Sequence, residues 1–163
     1  MINLVEKVSI ADMKIVHSPT KVRTSGLGSC VGVVLYDDVL KVAGLAHVML
    51  PDSSLARNKQ FHPAKFADTA ITALLDGLLL AGASQNRIQA KIAGGSQMFQ
   101  FTPTSNQMRI GPRNVEAIKE MLQTLKIKLV AEDTGGHSGR TIEFDPETNM
   151  LLIKTVNQET KEI

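Results

Sequence analysis

Cys30-Val31-Gly32-Val33-Val34-Leu35-Tyr36 and Val42-Ala43-Gly44-Leu45-Ala46-His47-Val48-Met49-Leu50 are apolar on both alternating faces. Strands covered on both sides read this way, as near-continuous apolar runs. Asp37-Asp38 supplies turn chemistry between them. The pair is expected to form a hairpin at the centre of the fold. A loop of residues 37–40 pairs Tyr36 with Lys41 and carries Cys30 to a place directly opposite His47. Their Cβ atoms would then lie ~4.5–5.5 Å apart. A one-residue slip would send them to opposite faces.

Outward from the hairpin, Met13 and Ile15 alternate with polar neighbours as a strand. Residues 64–81 place Phe66, Ala70, Ile71, Leu74, Leu75 and Leu78 on one helical stripe, with Pro63 before them and Gly82 after. Ile88, Ala90 and Ile92 alternate into Gly94-Gly95. A second helix is expected over about residues 114–125, with Val115, Ile118, Leu122 and Leu125 inward. Residues 127–131 read as a strand, and residues 141–144 and 151–155 as a hairpin across Asp145-Pro146-Glu147-Thr148-Asn149. Residues 157–163 are expected to fray. Strands and helices do not alternate regularly. The fold expected is α+β, layered, with a mostly antiparallel or mixed β-sheet structure and two main helices, in one domain over residues 1–163.

Length supports that reading, since 163 residues suit one domain with a sizeable core. Apolar residues make up 43% and charged residues 21%, which excludes a disordered or collagen-like chain. Five Phe, one Tyr and no Trp cannot furnish a stacking platform for single-stranded nucleic acid. A net charge of +2 gives no basis for a nucleic-acid or anionic-membrane partner. No run approaches the ~20 apolar residues of a membrane span. One cysteine permits no internal disulfide and fits a reducing compartment, and no signal-peptide order opens the chain. A cytoplasmic protein is expected, with a monomer as the default.

Cys30 is the residue with most chemical potential. Free cysteine is often only a small buried hydrophobe. Here it follows Ser25-Gly26-Leu27-Gly28-Ser29, a glycine turn that can present consecutive N–H groups to an anion or oxyanion. An imidazole at His47 would favour the thiolate and give a proton to a leaving group. His17 reads as a strand residue, His62 as an exposed polar residue before Pro63, and His137 as part of a glycine-rich loop. No Cys-x-x-Cys, His-x-x-x-His, P-loop or Gly-x-Gly-x-x-Gly is present, so neither a metal nor a cofactor is expected. Met98, Met108, Met121 and Met150 form no helical stripe.

Five segments in order resemble the chemoreceptor glutamine deamidase family, CheD. They are Gly26-Leu27-Gly28-Ser29-Cys30-Val31-Gly32-Val33; Gly44-Leu45-Ala46-His47-Val48-Met49-Leu50-Pro51; Lys91-Ile92-Ala93-Gly94-Gly95-Ser96-Gln97-Met98-Phe99; Ile110-Gly111 with Arg113-Asn114; and Glu132-Asp133-Thr134-Gly135-Gly136 through Gly139-Arg140-Thr141. The family pattern is departed from at Ser96 and at His137-Ser138. The resemblance implies a fold similar to the catalytic domain of cytotoxic necrotizing factor toxins. It also implies a Cys–His–Thr group at Cys30, His47 and Thr24.

The activity so implied is hydrolysis of receptor glutamine side chains to glutamate through a thioester on Cys30. Backbone N–H groups of Ser29 and Cys30 would hold the oxyanion, and Thr24 would orient the imidazole. Glutamyl methylesterase action would be a side reaction. The implied partners are the cytoplasmic domain of a chemoreceptor and the phosphatase CheC. Gly94-Gly95 and Met98-Phe99 are candidates for the rim of a site open to a protein substrate. Two other readings compete: a binding module that stimulates CheC and remodels receptors, and a Cys–His hydrolase of small amides or peptides.

Overall fold

The computed structural model describes residues 4–98 and 109–163. Its elements run β1 (Val5–Lys7), β2 (Met13–His17), β3 (Lys21–Leu27), β4 (Val31–Asp37), β5 (Val42–Val48), α1 (Ala67–Leu80), β6 (Ile88–Gly94), α2 (Ile110–Thr124), β7 (Lys128–Thr134), β8 (Arg140–Asp145), β9 (Met150–Thr155) and β10 (Lys161–Glu162). One sheet has the order β1-β3-β8-β9-β10 and the other β2-β5-β4-β6-β7. Only β1 with β3 and β6 with β7 pair in parallel among the described strands. The fold is α+β.

Every residue of β4 and β5 is buried, as their unbroken apolar pattern requires. Val31, Val33 and Leu35 face a core shared with α1 and α2, including Ile71, Leu74, Leu78, Ile118 and Leu122. Cys30, Val34 and Tyr36 face the other sheet, against Val22, Leu27, Ile142, Phe144 and Ile153. The molecule is thus layered as helices, central sheet and outer sheet. The catalytic candidates lie between the two sheets.

The hairpin register differs from the sequence expectation. Asp37 pairs with Val42, so the loop is residues 38–41 and His47 lies opposite Gly32. The reason is the Asp37 carboxylate, which is fully buried. It accepts N–H bonds from Val39 and Leu40 at 3.0 and 3.2 Å and a two-pronged pair from Arg87 at 3.0 and 2.9 Å. These bonds keep Asp37 in the sheet and fold the next residues into the turn. The correction is two residues, and side chains alternate with period two. Cys30 and His47 therefore still share a face, but as diagonal neighbours rather than direct ones.

The first helix begins at Ala67 rather than residue 64, because residues 63–65 form a separate 3₁₀ turn. Its buried residues recur at helical spacing, and it ends in paired Schellman bonds from Gly82 N to Leu79 O and Ala83 N to Leu78 O. The second helix starts at Ile110, four residues before the expected start. Pro112 is tolerated there because N–H groups of the first turn have no intrahelical acceptor. The expected fraying of residues 157–163 is overturned. Strand β10 pairs with β9, Ile163 exchanges two backbone bonds with Leu151, and the Lys91 ammonium reaches Ile163 O at 2.9 Å.

Candidate active site

Cys30 sits at the end of a turn whose last three carbonyls are tied to neighbouring segments. Gly28 O accepts from Ser96 N at 2.8 Å and Cys30 O from Gly95 N at 2.9 Å. Ser29 O accepts from Asn114 Nδ2 at 2.9 Å. Gly94 makes the close approach possible, since a Cβ there would lie 2.4 Å from Cys30 O. Among the described residues, neither the Ser29 nor the Cys30 N–H donates to a backbone carbonyl. Two adjacent donors are thus left without a backbone acceptor at the cysteine, an arrangement suited to a developing oxyanion.

His47 lies 1% exposed on β5. Its Nδ1 is 2.7 Å from Thr24 Oγ1, and Thr24 Oγ1 donates to Val8 O at 2.8 Å. A hydroxyl has one proton. With that proton on Val8 O, Thr24 accepts from Nδ1–H, so Nε2 carries the lone pair. Nε2 is buried without a hydrogen-bond partner, Cys30 Sγ included. A bulge in the pairing of β3 with β8 between Thr24 and Leu27 lies beside this contact, with Gly26 at φ +74°.

Burial sets the protonation of both groups. It lowers the His47 pKa to about 4. It raises that of the Cys30 thiol, partly offset by the Cys30 N–H directed at its own sulfur. Thiol and imidazole therefore rest in their neutral forms near pH 7. The imidazole is an unprotonated acceptor, and a weaker base than an exposed one, rather than half of a standing ion pair.

The five segments singled out in the sequence meet around this site. Asn114 joins Ser29 O to Met49 O. Gly135 N donates to Gly94 O. The buried Ser96 hydroxyl lies 2.7 Å from Ser138 O and accepts from Arg140 Nη1 at 2.8 Å. Arg140 Nε in turn reaches Asp133 Oδ2 at 3.1 Å. A family model described as CheD chemotactic sensory transduction matches residues 49–155. The chain is also 57% identical over 161 residues to the chemoreceptor glutamine deamidase CheD of Halalkalibacterium halodurans, covering 99% of both chains. The chain belongs to the CheD family. It is 55% identical over 160 residues to the chemoreceptor glutamine deamidase CheD of Bacillus subtilis, covering 98% of this chain and 96% of that one. A crystal structure of the Neisseria meningitidis protein NMB0706 superposes with TM-score 0.49 at 10% identity, over 82% of this chain and 64% of that one.

In this CheD chain the other histidines have other surroundings. His17 is exposed on β2. The ring of His62 caps a 3₁₀ turn, accepting from Ala64 N at 3.0 Å. His137 Nδ1 is 2.9 Å from Gln97 O. The two departures from the CheD pattern, at Ser96 and His137-Ser138, are thus built into the loop contacts. Among the described residues no group of three His, Cys, Asp or Glu could hold a metal, and no helix is long and apolar enough to cross a membrane. Met98 is half-exposed and packs over Gly28. Phe99 and Met108 lie outside the described residues.

Asn114, Ser96 and the Val8 carbonyl were not legible as site residues. Asn114 read as a helix start, Ser96 as part of a motif without an assigned role, and Val8 carried no signal. Their roles are defined by partners 16 to 85 residues away.

Proposed function

We propose that this CheD chain is a chemoreceptor glutamine deamidase using Cys30 as nucleophile, His47 as base and acid, and Thr24 as the group that orients His47. The observation that carries the reading is the bare Nε2 of His47. An unpaired buried polar atom costs ~1–3 kcal/mol. A protein that only bound its receptor would gain stability by filling the place with an apolar side chain. A proton acceptor on the same face as the thiol, diagonal to it across β4 and β5, is a partner that cysteine catalysis can use once substrate draws the two together.

In the reaction, Nε2 takes the Cys30 proton as sulfur attacks the side-chain carbonyl of a receptor glutamine. The oxyanion is held by the N–H groups of Ser29 and Cys30; loss of one such donor costs ~10²–10³ in rate. His47 gives its proton to the departing ammonia, leaving a thioester. It then deprotonates a water that attacks the thioester, releasing glutamate and the Cys30 thiol. Thr24 holds Nδ1–H throughout and so fixes which nitrogen moves protons. The same sequence with methanol as leaving group would hydrolyse a glutamyl methyl ester. CheC is the regulatory partner that the family resemblance adds.

The test is mass spectrometry of a chemoreceptor cytoplasmic fragment incubated with the protein, beside the Cys30→Ala variant. Conversion of Gln to Glu at a few sites, absent with Cys30→Ala, is expected. A folded protein that converts none, or a Cys30→Ala variant that converts as well as the parent, sinks the reading in favour of a binding module. Hydrolysis of free glutamine or generic peptides at comparable rates would point to a small-amide hydrolase instead.

A further inference from the structure

Asn114 is fully buried on the first turns of α2, and its Nδ2 donates to Ser29 O and to Met49 O, each at 2.9 Å. The β4–β5 ladder ends at the pair Val31–Val48. Beyond it the strands part, and Met49 N turns to Lys65 O. The Asn114 amide replaces the missing rung between the cysteine strand and the histidine strand. Its orientation is fixed by chemistry, since turning the amide over would set Oδ1 against two carbonyl oxygens. In the orientation found, Oδ1 is buried without a hydrogen-bond partner. Such an orphan is costly, so the side chain does more than fill space.

A trans peptide holds its C=O and N–H in opposite directions. Drawing Ser29 C=O toward α2 turns the N–H of Cys30 the other way, toward the layer between the sheets where Cys30 packs. The Cys30 N–H is directed at its own sulfur, on that same side. We propose that Asn114 is a positioning residue for acyl transfer: it holds the Ser29–Cys30 peptide so that the Cys30 N–H faces the oxygen of the attacked amide. The inference rests on the deamidase reading above. His47 is held independently, by its own ladder and by Thr24.

This separation defines the experiment. A donor that acts only on the oxyanion contributes to the transition state and not to substrate binding, so its loss falls on kcat. Alkylation of Cys30 by iodoacetamide depends on thiolate and exposure instead. Asn114→Ala and the near-isosteric Asn114→Asp are compared with the parent for deamidation of a receptor fragment and for alkylation of Cys30 across pH. The expected result for Asn114→Ala is a fall in kcat of about 10²-fold with KM little changed, and a much smaller fall in the alkylation rate, because a Cys30 N–H turned from the sulfur no longer lowers the thiol pKa. Asn114→Asp, which keeps one O–H donor when protonated, should lose less. An unchanged kcat overturns the proposal. So does an alkylation rate that falls in step with kcat, or failure of both variants to fold, since Asn114 would then serve the fold alone. A parent whose Cys30 is alkylated normally but which deamidates nothing overturns the deamidase reading itself.

Discussion

Thr24 Oγ1 stands 2.7 Å from His47 Nδ1 and 2.8 Å from Val8 O, so its single proton is committed to the carbonyl and the imidazole must donate to it. The bond to His47 bridges the sheets, since Thr24 is on β3 and His47 on β5, and the bond to Val8 O ties Thr24 to the segment after β1 in its own sheet. They select a tautomer without placing a negative charge beside the ring. A carboxylate in the same place would stabilise imidazolium; a hydroxyl cannot.

Thr24→Ala is therefore expected to deamidate more slowly but not to lose activity as Cys30→Ala does. Its deficit should stay within the ~10²–10⁴ that a positioned acid–base group supplies. Thr24→Ser, which keeps the hydroxyl, should recover most of the rate. The comparison is made on kcat for a receptor fragment with folding checked for each variant. Equal loss in Thr24→Ala and Cys30→Ala would remove Thr24 from the role of an orienting group and place it in the chemistry.

Burial of His47 also links pH to stability. The folded-state pKa is about 4, against 6.5 for an exposed imidazole. Below pH 6.5 the unfolded chain takes up this proton before the folded one, so stability falls as pH drops from 6.5 through about 4. The total from this group is on the order of 3–4 kcal/mol at ~1.4 kcal/mol per pH unit. Asp37 acts in a lower window. Burial alone would raise its pKa, but the bonds from Arg87 and from the Ser84, Leu40 and Val39 N–H groups outweigh that and hold it at about 2. Its stabilisation is present above pH 3.8 and lost as pH falls through 2. Urea denaturation midpoints at pH 7, 5 and 4 should decline in the parent, and more gently in His47→Gln. Parallel declines would mean that His47 is not buried in its neutral form.

The same two residues mark how far the sequence could be read. The central hairpin was legible because its apolar run is a local pattern. Its register was not, because what keeps Asp37 in the strand is Arg87, 50 residues later. The error preserved the site because it was even, and side chains repeat every two residues. The division of the ten described strands into two sheets could not be read, since β3 pairs with β8 across more than 100 residues and no local period encodes that choice. Residues 157–163 were misjudged for a related reason. Their polar composition suggests fraying, but β9 and Lys91 offer partners for their backbone.

Two glycines distinguish crowding by a side chain from crowding by backbone. A Cβ on Gly32, opposite His47, would lie 2.4 Å from Ile142 Cδ1, the mobile tip of a side chain. Gly32→Ala is expected to cost about 1–3 kcal/mol, as overpacking does. A Cβ on Gly111 would lie 2.3 Å from Ser96 O and 2.6 Å from Gly95 O, the carbonyls of the two residues whose N–H groups hold the cysteine turn at Gly28 O and Cys30 O. Helix propensity alone argues that Gly111→Ala should stabilise α2 by about 1 kcal/mol. The collision argues the reverse, because α2 can accept the methyl only by moving away from Gly95 and Ser96, carrying Asn114 with it. Gly111→Ala should therefore lower the urea midpoint more than Gly32→Ala and lower kcat as well. A Gly111→Ala variant more stable than the parent would show that α2 does not press against the 95–96 backbone.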